Sequence, residues 1–264
     1  MNKSNKKIFV FLFFIIVLIS FPFYKMISAG SAKVSGKCIL IVMWAPAISA
    51  FITKLVFDRD LRKLGFKIGN LKYIGISFII PLIAALLVYS IVWITGIGQL
   101  DSSRLISELS LSKFGMIMSF IATGILALGE EIGWRGFLVP ELFKKFSYTK
   151  TSIITGVIWS MYHYPILFFS DYNNGVSVLS SFVFFTISVF AVCFITTWLR
   201  LKSGSLWTGA ILHASHNYFI QGIFDHSTID KGYTKLITTE FGIGLAIAYV
   251  LIAVYFWRRR GIFN

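Results

Sequence analysis

The chain has 264 residues, 56% of them hydrophobic and only 14% charged, with a formal net charge of +14. Soluble domains carry about 25% charged residues, so too little polar surface is available here to cover the apolar surface in water. The basic residues lie between apolar runs rather than along a face or an arm, which speaks against nucleic-acid binding and for a membrane protein.

A bilayer core of about 30 Å needs roughly 20 apolar residues per helix. In chain order, such runs fall at about 8–24, 38–57, 73–96, 114–132, 152–170, 177–199, 204–224 and 239–257. The expected fold is therefore all-α, a polytopic transmembrane bundle of about eight helices, with residues 1–264 as a single membrane domain. Before the first run stand Lys6 and Lys7, and after it the small residues Ser28-Ala29-Gly30-Ser31-Ala32. That pattern resembles a cleaved signal, but the run exceeds the usual ~7–15 apolar residues, and a retained helix is expected. Asp58 to Lys72 reads as a basic loop, anchored to anionic headgroups and suited to an interfacial helix. The two cysteines, Cys38 and Cys193, sit inside apolar runs, too few for a disulfide scaffold or a Cys-based zinc site.

Charge sets the expected orientation. With the N-terminus inside, the inner segments hold Lys3, Lys6, Lys7, Arg59, Arg62, Lys63, Lys67, Lys72, Arg135, Lys144, Lys145, Lys150, Arg200, Lys202 and Arg258–Arg260. The outer segments hold only Lys25, Lys33, Lys37, Arg104, Lys113, Lys231 and Lys235. The bias places both termini in the cytoplasm of a multi-pass cell-membrane protein.

Ionisable side chains inside a span cost several kcal/mol, about 2.5–3.5 on insertion scales, and persist when paired, wet or chemically active. The fourth span ends in Gly129-Glu130-Glu131-Ile132-Gly133-Trp134-Arg135. Glu131 and Arg135 are four apart and share a helix face, whereas Glu130 is rotated by about 100°. Arg135 therefore holds Glu131 and leaves Glu130 for work; a salt-bridge cluster at the inner interface is the alternative. His163 lies about 17 Å into the fifth span and His213 about 15 Å into the seventh, counted from the same side at 1.5 Å per residue. Asn217, four residues after His213, shares its face. Each histidine alone reads equally as helix–helix glue, and His216 is secondary. Together the residues suit water attack on a carbonyl, with glutamate and histidine as acid–base groups and asparagine as oxyanion donor. Depth counting puts the opening of this site on the cytoplasmic side.

At these residues the chain resembles the CAAX-protease and bacteriocin-processing family of intramembrane proteases, which includes the Rce1-type CAAX prenyl endopeptidases. The motifs are Glu130-Glu131-x-x-x-Arg135, Trp159-x-x-x-His163 and His213-x-x-x-Asn217. The family often has phenylalanine where Trp159 stands. The resemblance covers about residues 129–217, within a protease-like core at about 114–224. It implies that Glu130, helped by His163, activates water, that His213 and Asn217 hold the oxyanion, and that Glu131 and Arg135 support them. Glu130, His163 and His213 would also suffice as zinc ligands, but no His-Glu-x-x-His helix is present; the cofactor expectation is none or zinc. The expected partners are a membrane protein or peptide substrate and the lipid bilayer, with no nucleic acid. Two other functions fit the same residues. One is a non-enzymatic membrane protein that binds and regulates a partner; the other is a proton-coupled transporter, although no paired, interrupted helices mark inverted repeats.

Overall fold

The computed structural model describes residues 2–28, 36–110, 112–170 and 172–263. The small segment 29–32 and Lys33 lie outside the described residues. In chain order the elements are α1 (Lys3–Ser28), α2 (Gly36–Phe57), α3 (Leu71–Ile94), β1 (Gly98–Leu100), α4 (Ser102–Leu109) and α5 (Lys113–Glu131). A π-helical stretch, Ile132–Leu138, carries α5 into the short α6 (Val139–Phe143). Then come α7 (Tyr148–Phe169), α8 (Val178–Ser203), α9 (Trp207–His216), a second π-helical stretch, Asn217–Phe224, β2 (Thr228–Asp230), α10 (Thr234–Ile237) and α11 (Ile243–Arg258). The fold is a polytopic helical bundle. Among the described residues six helices are long and apolar enough to cross a membrane, and α11 is shorter. The seventh expected span is α9 with its π-helical continuation.

One hydrophobic cluster runs through the bundle, from Phe11 and Ile15 of α1 to Leu245 and Tyr249 of α11. Its two ends differ in charge. At one end Lys7 Nζ donates to both oxygens of Asp58, at 2.5 and 2.6 Å, and Lys54 Nζ donates to Asp58 at 3.0 Å. Glu141 lies 3.8 Å from both lysines and accepts from Lys144 at 2.6 Å. These pairs bring the start of α1, the end of α2 and α6 to one face. At the opposite end β1 and β2 pair antiparallel, Gly98 with Asp230 and Leu100 with Thr228.

Residues 58–70 form the expected loop and not an interfacial helix. Only Arg62–Leu64 make a 3₁₀ turn, and Gly65 and Gly69 take positive φ angles of 90° and 73°. The segment instead folds under the basic face. Leu206 donates its backbone N–H to the Gly65 carbonyl, and Trp207 Nε1 donates to the Phe66 carbonyl at 2.7 Å. Gly204, left-handed at φ 70°, ends α8 and turns the chain there. As a result α9 starts inside the bundle, with Ser205, Leu206 and Thr208 fully buried.

Candidate active site

The site begins with a close helix approach. A side chain at Gly129 would lie 2.6 Å from the Met43 carbonyl, and one at Gly133 would lie 2.3 Å from Pro46. The small-x-x-x-small spacing lets α5 and its continuation lie directly on α2, the usual device for packing helices in lipid. Immediately beyond the glutamates the backbone widens into the π-helical stretch 132–138. A wider turn disturbs the regular hydrogen-bond ladder, and lipid offers no substitute partner. Arg200 of α8 supplies one, its Nε donating to the Arg135 carbonyl at 2.7 Å.

The two glutamates are both buried but differently held. Glu131 Oε1 accepts from Arg135 Nη1 at 2.9 Å, and His213 Nδ1 lies 3.2 Å from the same oxygen. Arg135 is itself locked: Nε donates to Thr196 Oγ1 at 2.9 Å, Nη2 is 3.5 Å from Cys193 Sγ, and the guanidinium lies 4.3 Å over the Trp159 ring. Among the described residues Glu131 Oε2 has no hydrogen-bond partner, and Gly209 of α9 packs against it. Glu130 is held on one oxygen only. Its Oε2 accepts from Trp134 Nε1 at 3.0 Å and from Trp159 Nε1 at 2.7 Å. Glu130 also lines a cavity of about 750 Å³.

His163, His213 and Asn217 line the same cavity and are half-buried, so the cavity reaches them. His163 Nδ1 is 2.9 Å from the Trp159 carbonyl. A carbonyl only accepts, so Nδ1 carries the proton, and Nε2 of the neutral ring is left as an acceptor. The Trp159 ring adjoins both histidines, its centroid 6.1 Å from that of His163 and 5.7 Å from that of His213. His216 also lines the cavity; its Nδ1 bonds to the Tyr249 hydroxyl at 2.8 Å, and its Nε2 is 3.9 Å from Glu240. Asn217 opens the second π-helical stretch. Both interruptions thus adjoin site residues, as such bulges often do.

Two sequence expectations differ from the structure. The histidines do reach one cavity, but not by equal counts from their helix starts. From the starts of α7 and α9, His163 lies about 22 Å along its helix and His213 about 9 Å. They meet because α9 starts inside the bundle. Nor does the cavity open on the basic face. Its exposed polar lining residues are Asn174, His226, Asp230 and Lys235, on the face that carries the β1–β2 ribbon, and Ile39, near the start of α2, is exposed as well.

Sequence reasoning did not find the indole donors of Trp134 and Trp159, the Thr196 and Cys193 contacts to Arg135, or Gly209. A four-residue spacing was available for three of them: Trp134 follows Glu130, Trp159 precedes His163 and Gly209 precedes His213 by that interval. Thr196 and Cys193 carried no such signal.

The zinc expectation can be tested on the donor geometry. Among the described residues no three His, Cys, Asp or Glu side chains gather closely enough to hold a metal ion. Glu130, His163 and His213 are not gathered into such a group.

Fold and site together define a polytopic helical membrane protein with a buried carboxylate–histidine constellation at the base of a cavity. Residues 112–219, which contain all three motifs, match the family described as type II CAAX prenyl endopeptidase Rce1-like. The chain is similar to CAAX prenyl protease 2 of Methanococcus maripaludis, 27% identical over 263 residues, with 94% of each protein covered. It is also similar to lysostaphin resistance protein A of two Staphylococcus epidermidis strains, 26% identical over 79% of this chain and 53% of those proteins. Over residues 112–219 the chain is thus similar to Rce1-like CAAX prenyl endopeptidases, and to the methanococcal protease over nearly its whole length.

Proposed function

We propose that the chain is an intramembrane endopeptidase that hydrolyses a peptide bond of a membrane-associated protein or peptide, with Glu130 as the general base. The observation that carries this reading is the one-sided grip on Glu130. Two indoles hold Oε2, which leaves Oε1 to take a proton from a water at the base of the cavity. His163 Nε2 accepts the other hydrogen of that water and aims its lone pair at the carbonyl carbon. As the C–O bond forms, the carbonyl oxygen becomes an oxyanion. A protonated His213 Nε2 and the Asn217 amide donate to it, and Glu131 on His213 Nδ1 supports the positive ring. The C–N bond then breaks, and the proton held by Glu130 passes to the leaving amine. Glu131 and Arg135 act by positioning His213. No cofactor enters these steps.

By the charge bias, the basic face with both termini is cytoplasmic in the cell membrane. The cavity mouth then faces the other side, or the substrate reaches it laterally.

The test compares wild type with Glu130→Gln at matched expression, reading new peptide termini in membrane and secreted fractions by mass spectrometry. Specific termini are expected to vanish in the variant. Unchanged termini, with a phenotype on loss of the whole protein, would instead favour a binding partner that uses the same fold.

A further inference from the structure

A second cavity, remote from Glu130, is a groove of about 540 Å³ on the lipid-facing side of the bundle between α8 and α11. Ile187, Phe190 and Phe194 line one wall, and Val250, Val254 and Trp257 the other. Along α8 the groove runs from Thr186 to Phe194, a rise of about 12 Å, close to one leaflet of a ~30 Å hydrocarbon core. It ends at the basic face in a cluster of cations. The Arg260 guanidinium lies 3.7 Å over the ring of Trp257, and its Nη1 donates to the Trp257 carbonyl at 2.9 Å. Arg259 lies 4.3 Å over Tyr255, and Arg258 precedes it. Trp257 Nε1 donates to Thr149 at 3.3 Å, which brings exposed Lys150 to the same corner. Among the described residues, none of these four cations makes an ion pair with a carboxylate.

The geometry points to a binding site for one anionic phospholipid, with an acyl chain in the α8–α11 groove and its phosphate on Arg258–Arg260 and Lys150. The groove accounts for the chain, and one leaflet's depth matches its length. The unpaired cations at its end account for the charge, since anionic headgroups are attracted to juxtamembrane Lys and Arg. Trp257 joins the two parts, being both a wall of the groove and the surface on which Arg260 stacks.

The test uses the full chain in nanodiscs made from equal parts phosphatidylglycerol and phosphatidylcholine, with lipids that survive ejection counted by native mass spectrometry. Wild type is expected to keep one phosphatidylglycerol, at least tenfold in preference to phosphatidylcholine. The triple variant Arg258→Gln, Arg259→Gln, Arg260→Gln should lose that preference. Val254→Trp, at a 39% exposed wall residue, should lose the retained lipid with the arginines intact. Ile187→Trp repeats the blockade from the α8 side should the first variant unfold earlier than wild type. Equal retention of both lipids by wild type would overturn the proposal. So would a preference that survives in either kind of variant, because a diffuse basic surface needs no groove. A dimer mass without lipid would mean that a second copy covers this face instead.

Discussion

Gly209→Ala probes the coupling between the buried ion pair and the oxyanion side of the site. A Cβ at position 209 would lie 2.4 Å from Glu131 Oε2, 3.1 Å from Arg135 Cγ and 3.3 Å from Glu131 Cδ. Ordinary contact is about 3.5 Å, so the carboxylate must retreat by about 1 Å. A free surface glutamate would do so at little cost. Here Glu131 is fully buried and its other oxygen serves both Arg135 and His213. Overpacking of this kind costs about 1–3 kcal/mol, and a 1 Å displacement of catalytic groups costs ~10²-fold in rate. The expected result is a lowered unfolding temperature together with a loss of about two orders of magnitude in the formation of those termini that depend on Glu130. Glu131→Asp in the same background shortens the clashing side chain. The double variant should therefore be more stable than the two single effects predict, by ~0.5–3 kcal/mol of coupling. Strict additivity, or a Gly209→Ala variant cleaving at the wild-type rate, would refute the claim that Glu131 positions His213.

Two further outcomes follow from the ion pairs. Arg135→Gln strips the guanidinium that pairs with the buried Glu131 carboxylate, and breaking such a pair costs ~3–5 kcal/mol; thermal unfolding of the purified protein should drop sharply, and an unchanged melt would contradict the pairing. Asp58 lies outside the spans, where partial burial acts to raise its carboxyl but hydrogen bonds and charge from Lys7 and Lys54 outweigh it and hold it down at about 2, against an ordinary 3.8. Because the folded value is depressed, the ionised group stabilises the fold fully above the ordinary value, and that contribution fades as pH falls from about 4 to about 2. Unfolding temperatures of wild type and Asp58→Asn should differ at pH 6 and converge across that window; a constant difference down to pH 2 would remove Asp58 from the account.

Much of this arrangement was legible in the sequence because it is local. Eight apolar runs gave the bundle. Glu131 and Arg135, four apart on one helix, were read as a pair, and the structure joins them at 2.9 Å. What was not legible depends on where helices start and how their backbones deviate. The depth count assumed that each span begins at the bilayer surface, whereas α9 starts beneath the 58–70 segment. The 3.6-residue period holds at Glu130 and Glu131, both in α5, but the π-helical stretches that follow Glu131 and His216 leave no mark in an apolar pattern. The indole donors to Glu130 were hidden for another reason. Spacing alone does not say where an indole N–H points, and only tertiary packing turns those of Trp134 and Trp159 onto one oxygen.

The same error of counting bears on the side from which substrate arrives. Depth alone suggested a cytoplasmic opening, but the exposed polar rim of the cavity is Asn174, His226, Asp230 and Lys235. These residues lie at the end of the bundle opposite the Lys7–Asp58–Glu141 cluster. If the basic face is cytoplasmic, as positive charge demands, the rim is outside. Cysteine labelling in intact cells decides the matter. In a Cys38→Ser background the remaining Cys193 is buried and should stay silent towards a membrane-impermeant maleimide. Asn174→Cys, on the exposed rim, should label in intact cells. Lys63→Cys, on the basic segment, should label only after permeabilisation. The reverse pattern would invert the orientation while leaving Glu130, His163 and His213 at the base of the same cavity, and substrates would then be sought on the cytoplasmic leaflet. The labelling experiment therefore separates topology from chemistry, since the termini lost in Glu130→Gln report on catalysis whichever way the mouth points.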